Sequence, residues 1–120
     1  MFPLSESKKF AEEWIKSWNK QDLDLILSHY ADEIEFTSPF IIKLMDEPSG
    51  TIRGKEKLKS YFQKGLSSYP ELRFELFEVL TGVNSLVVYY RSVNNLLAAE
   101  IMVLNREGKI AQVFAHYNNV

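Results

Sequence analysis

No cysteine occurs in the 120 residues, which removes a disulfide framework, a thiolate zinc site and a cysteine nucleophile from consideration. An excess of one charge is missing too: 14 Lys+Arg stand against 16 Asp+Glu, a formal net charge of −2. So weak a field neither drives nucleic-acid binding nor attracts the chain to an anionic membrane. Long apolar runs are absent; the longest, residues 86–90, falls far short of the roughly 20 residues a membrane span needs. The opening MFPLSESKKF lacks a basic segment followed by an apolar stretch, so it does not read as a secretory signal. Together these absences predict a soluble, cytoplasmic protein. No repeat, low-complexity tract or linker divides the chain. What is present is 46% hydrophobic and 13% aromatic residues, at a length that suits one domain spanning residues 1–120. At that size folding buries roughly two-thirds of the surface the unfolded chain exposes, so a core forms without staples.

Charge divides unevenly: residues 1–60 carry 9 Lys+Arg and 11 Asp+Glu, residues 61–120 carry 5 of each. A helix shows a wide solvated face and a covered strand shows less, so helices are expected early and strands late. Phe10, Trp14, Ile15 and Trp18 recur at three- and four-residue steps, one stripe of an amphipathic helix started by Ser5 and Glu6. Asp22 caps a second, shorter helix whose stripe is Leu23, Ile26, Leu27 and Tyr30. From Glu33 the period becomes two, with Ile34, Phe36 and Ser38 on one side, a strand stopped by Pro39. Residues 40–53, with the turn Asp46-Glu47-Pro48-Ser49-Gly50, read as a loose hairpin or flap. Gly54 opens a third helix with Leu58, Tyr61, Phe62 and Leu66 inward, ended near Tyr69-Pro70. Strands then follow at 72–81, 85–93, 96–104 and 110–117, joined by Gly82-Val83-Asn84, Asn94-Asn95 and a Gly108-containing loop. Short turns force antiparallel neighbours, so this is an α+β chain with a curved meander and helices on one face.

The chain resembles the nuclear transport factor 2-like superfamily, in its SnoaL-like polyketide cyclase and ketosteroid isomerase branch. The matching residues include Trp14, Trp18-Asn19, Asp22-Leu23-Asp24, the run His29 through Phe36, and Ser38-Pro39. Gly54-Lys55, Leu58, Tyr61-Phe62, Gly65-Leu66, Glu100-Ile101-Met102, the hairpin Glu107-Gly108-Lys109-Ile110 and Ala115-His116-Tyr117 complete the pattern over residues 7–117. The resemblance implies a cone: a curved antiparallel sheet wrapped around three N-terminal helices, a cystatin-like α+β barrel with a deep pocket. It also implies a homodimer through the outer sheet face. A resemblance of fold does not name a reaction.

Glu100 is a charge alone in an apolar strand, between Leu96-Leu97-Ala98-Ala99 and Ile101-Met102-Val103-Leu104. It faces outward, paired with an arginine at a partly wet dimer contact, or it faces the cavity. The second reading is favoured because the position resembles the oxyanion-hole aspartic acid of ketosteroid isomerase, an acid kept neutral by an apolar site. An inward Glu100 is desolvated, which raises its pKa and suits it to act as donor or general acid/base. Other features argue against steroid isomerisation by that mechanism. The Asp-Pro that supplies the base in those enzymes is Ser38-Pro39 here, and their oxyanion tyrosine falls at Trp14, whose indole donates but cannot exchange a phenolic proton.

Candidate ligand contacts are Trp14, Trp18, Tyr30, Ser38, Tyr61, Phe62 and Tyr90, with Met102 and Tyr117 inside by strand alternation if Glu100 is inside. His29 looks into the pocket or covers the end of the second helix. His116 falls on the outer face by the same alternation; a bulge that inverted it would create a Glu100–His116 dyad. The two histidines lack the spacing and third ligand of a metal site, and no cofactor is implied. Arg91 reads as an outer-face partner for Glu75, with a substrate-carboxylate clamp as the other reading. Two functions stay open. One is a pocket for a small, mostly apolar carbonyl- or hydroxyl-bearing compound, with isomerisation, cyclisation or dehydration through Glu100. The other is a non-catalytic carrier, sensor or dimeric adaptor, with residues 40–45 offered to a partner.

Overall fold

The computed structural model describes residues 4–120. Helix α1 (Leu4–Asn19) buries Trp14, Ile15 and Trp18 of the expected stripe, with Ala11 beside them and Phe10 half-buried. It already runs at Leu4, so Ser5 lies inside the first turn rather than at the cap. Asp22 caps α2 (Leu23–Leu27), its carboxylate accepting from the Leu25 amide at 3.2 Å. Ser28 closes that helix early, and Tyr30, expected on its stripe, instead opens strand β1 (Tyr30–Thr37).

Residues 40–53 are not a loose hairpin. Pro39–Leu44 form a short helix, α3, and after the turn Thr51–Arg53 form strand β2. The Ser-Pro pair that ends β1 also starts α3. The Ser38 hydroxyl accepts from the Phe40 amide at 3.3 Å, and Pro39 occupies the first helical turn, where its missing N–H costs nothing. Gly54, at φ +91°, turns the chain into α4 (Lys55–Ser68), a conformation that would strain any residue carrying a Cβ. Leu58, Tyr61 and Phe62 are its buried face.

The four late strands are present, somewhat trimmed: β3 (Glu75–Thr81), β4 (Ser85–Arg91), β5 (Leu97–Leu104) and β6 (Ile110–Tyr117), with a 3-10 turn over Val93–Asn95. Residues 72–74 do not pair as strand. The Asn19 side chain holds them instead, accepting from the Phe74 amide at 2.6 Å and donating to its carbonyl at 3.0 Å. A bulge between Leu76 and Glu78 then shifts the alternation, leaving Phe77 exposed and Val79 buried.

The six strands run in the order β2-β1-β6-β5-β4-β3. The meander β3 to β6 is antiparallel as expected, but β1 joins β6 in parallel, and β2 and β3 remain as edges. Among the described residues the sheet is therefore curved and open, not a closed barrel, and it carries four α-helices rather than three. α1 packs on β3 and α4 on β1. The inward side chains of the meander, Leu86, Val88, Tyr90, Ala98, Met102, Val113 and Ala115, meet these helices in one core. No helix among the described residues is long and apolar enough to cross a membrane.

Candidate active site

A cavity lies between the inner sheet face and the helices. It holds about 70 Å³ of free space, well under the several hundred cubic ångströms of a typical drug-sized site. Trp18 of α1, Tyr30 and Phe36 of β1, and Tyr61 and Phe62 of α4 form its walls. Tyr90, Glu100 and Tyr117, from three strands of the meander, form its floor, and Phe40 and Leu44 of α3 part of its rim. Beyond Tyr69, Leu72, Ser92 and Val93 the cavity adjoins a wider groove of about 440 Å³ lined also by Arg73, Arg91, Asn94 and Asn95.

Glu100 is the only charged residue among those lining the inner cavity and is 3% exposed. It sits inward because Ala98 and Met102, two positions either side, do the same. The Tyr90 hydroxyl, on the neighbouring strand, donates to Oε2, whereas Oε1 has no hydrogen-bond partner. Burial pushes the carboxyl up to about 7, against the lowering effect of the Tyr90 bond. At neutral pH both protonation states are therefore populated, the condition a general acid/base needs. Tyr30, Tyr61, Tyr90 and Tyr117 surround it. Their hydroxyls are held neutral above the ordinary tyrosine range, by burial first and with the Glu100 charge adding to it.

Two indoles approach this group differently. Trp14 donates its N–H to the Tyr30 hydroxyl at 2.9 Å. Trp18, 7% exposed, leaves its N–H unpartnered. The Tyr61 hydroxyl donates to Ser38 Oγ at 3.3 Å.

Of the candidate contacts, Trp18, Tyr30, Tyr61, Phe62, Tyr90 and Tyr117 line the cavity together with Glu100. Trp14, Ser38 and Met102 are buried behind that lining. They hold Tyr30 and Tyr61 in place or fill the core, and do not face the space themselves. His29 covers the end of α2, its Nδ1 3.2 Å from the Ile26 carbonyl and its ring edge-on to Phe10. His116 is exposed on the outer face opposite Ala99, so no Glu100–His116 dyad forms. Arg91 lies outward, 3.9 Å from Glu75 and over the Phe77 ring. Phe36, Phe40, Leu44, Gly65, Phe74 and the rim residues Tyr69, Leu72, Ser92 and Val93 were not in the candidate set. Strand alternation points to Phe36, to Leu72 with Phe74, and to Ser92 beside Tyr90; nothing in the pattern points to Tyr69 or Val93. Among the described residues no three His, Asp or Glu side chains gather to hold a metal ion.

A family model for the SnoaL-like domain matches residues 11–113. The crystal structure of a SnoaL-like protein of unknown function from Burkholderia thailandensis E264 is 39% identical, with a TM-score of 0.95 over 98% of both chains. An NTF2-like protein of unknown function from Cytophaga hutchinsonii ATCC 33406 shares the fold at 13% identity, TM-score 0.72, covering 93% of this chain and 89% of its own. SalBIII, an epoxide hydrolase/cyclase-like enzyme of pyran ring formation in the polyether salinomycin, shares it at 17% identity and TM-score 0.79, covering 99% and 95%. No curated protein matches the sequence.

Proposed function

The chain belongs to the SnoaL-like domain family, and from that premise we propose that it binds a small, mostly apolar carbonyl compound beside Glu100 and moves a proton on it. One observation carries the reading: a buried carboxyl on the lining of an aromatic cavity, with one oxygen tied to Tyr90 and the other without a partner. A carboxyl of that kind costs stability wherever it is ionised, and function is the usual reason such a group persists. Isomerisation, cyclisation and dehydration all fit, because each needs one positioned acid/base in a site that excludes water. The absence of an aspartate at Ser38 and of a phenol at Trp14 separates this site from that of the ketosteroid isomerases.

Exchange of α-hydrogens on cyclopentanone in D2O, followed by NMR, tests it. The protein should accelerate the exchange and Glu100→Gln should abolish the acceleration. The small free volume favours a second reading, a carrier or sensor whose hollow is largely filled by its own rings. Binding without exchange, unaltered by Glu100→Gln, would decide for that reading. Under either, the protein works in the cytoplasm as a homodimer. The support for the homodimer is the outer sheet face, where Phe77, Tyr89, Ile101 and Phe114 are exposed around the strand centres.

A further inference from the structure

We propose that the cavity around Glu100 binds small organic cations, protonated amines, with the ionised carboxyl as counter-ion and the surrounding rings as a cage. The inference goes beyond the proton transfer proposed above: it gives the same hollow a second class of ligand and needs no reaction.

Glu100 is 3% exposed, and no lysine or arginine lines its cavity. The ion pairs among the described residues engage Glu35, Asp32 and Glu75, all on the surface, and none reaches Glu100. A buried carboxyl either pairs its charge with a cation or gives the charge up by taking a proton. Among the described residues only the second route is open, and burial accordingly raises Glu100 to about 7. A ligand that brings its own positive charge opens the first. Oε1, which has no partner, is where the N–H of such a ligand completes the pair.

The rest of the lining favours the same ligand. Ten of its sixteen residues are aromatic, and a ring attracts a cation more strongly where water is excluded. The hydroxyl protons of Tyr61 and Tyr90 are already given to Ser38 and Glu100, so these two phenols offer a ligand oxygen lone pairs. An ammonium group has three donors and no acceptor, which matches that supply. A neutral alcohol of the same shape leaves the carboxylate charge uncompensated. About 70 Å³ admits a short or branched alkylammonium, or such a head on a chain that continues into the adjoining groove.

Isopropylammonium and isopropanol, alike in shape and different in charge, are the probes, and the 1H–15N resonance of the Trp18 indole reports their binding. At pH 8 the ammonium should bind at least tenfold more tightly than the alcohol. An alkylammonium stays charged from pH 5.5 to 8, as a lysine does. Tyr30 of β1, Tyr61 of α4, Tyr90 of β4 and Tyr117 of β6, the titratable groups around Glu100, are held neutral throughout. Helices α1 and α3 bring no titratable group to the lining, and His29 and His116 lie outside it. Affinity for the ammonium should therefore track the ionised fraction of Glu100 and fall about 30-fold from pH 8 to pH 5.5. Glu100→Gln should bring the two probes to equal affinity. Equal affinities in the wild type, no binding of the ammonium, or an affinity that does not change with pH would overturn the cation site. Should Glu100→Gln not fold, the pH series on the wild type decides by itself. Cyclopentanone exchange without ammonium binding strikes this inference and spares the proton transfer; ammonium binding without exchange does the reverse.

Discussion

Replacing Glu100 by glutamine should stabilise the fold at alkaline pH while removing the group proposed to do the chemistry. A glutamate in the unfolded chain titrates at 4.5, and burial raises Glu100 to about 7 in the folded protein. Each tenfold preference for the protonated form is worth about 1.4 kcal/mol, so the ionised carboxyl costs the native state about 3 kcal/mol. The sign follows from which state holds the proton. Below pH 4.5 both do, and no penalty exists; between 4.5 and about 7 the folded protein keeps a proton that the unfolded chain has lost. Stability contributed by this group therefore falls as pH rises through that window and stays low above it. Glutamine preserves the shape, its amide oxygen can accept the Tyr90 O–H, and it carries no charge to bury. Urea unfolding of both proteins at several values from about pH 5 to 8 is the assay, because the remaining titrations cancel in the difference. The advantage of Glu100→Gln should be small near pH 5 and approach about 3 kcal/mol at pH 8, roughly 10 °C in Tm for a chain of this size. A difference that stays constant within about 0.5 kcal/mol across the range refutes the argument, since a pH-independent offset reflects packing and not charge. The expected gain is the familiar exchange of stability for a functional group.

Three further outcomes follow from the same geometry. In Tyr90→Phe the bond that draws the Glu100 pKa down is gone, so 13C-carboxyl titration should place the group higher than in the wild type; an unchanged or lower value refutes the assignment. Ser38→Ala removes both the cap of α3 and the acceptor of the Tyr61 hydroxyl, and should cost about 1–2 kcal/mol in urea unfolding. A loss below about 0.3 kcal/mol would show that α3 is held by Ile41 packing alone. Ile101→Lys, on the exposed side of β5, should halve the mass seen by light scattering and leave the circular dichroism spectrum intact. A wild type that already elutes as a monomer removes the outer-face dimer.

The readable parts of the fold were those in which one signal acts alone over many residues. The α1 stripe and the alternation in β4 and β5 each persist for seven residues or more, long enough for a period to declare itself, whereas in β6 it holds only from Val113 on. Helix α3 has six residues, and its Ser-Pro start is the same signal that ends a strand. Tyr30 is apolar at a helical step from Ile26, yet it belongs to β1, because α2 closes at Ser28 and the chain then pairs with β6. The parallel contact between β1 and β6 joins segments some eighty residues apart, and no local pattern encodes it.

The same division governs the site. Glu100 was legible because a lone carboxyl in an apolar strand violates the composition around it, and strand parity then assigned Tyr90, Met102 and Tyr117 to its side. Parity names a face, however, not a depth. Met102 shares the face of Glu100 and lies outside the cavity lining. Trp14 and Trp18 make the point more sharply. They stand one helical turn apart on one stripe and carry identical N–H donors, so no property of α1 distinguishes them. What distinguishes them is where β1 delivers a hydroxyl. The register of β1 against β6 slips between Tyr30 and Glu35, and Tyr30 meets Trp14 at hydrogen-bond distance while Trp18 stays unpaired. Which indole bonds the Tyr30 hydroxyl is thus settled by the pairing of a distant strand. That is why the tryptophan bonded to Tyr30 and the one that lines the cavity look alike until the sheet is assembled around them.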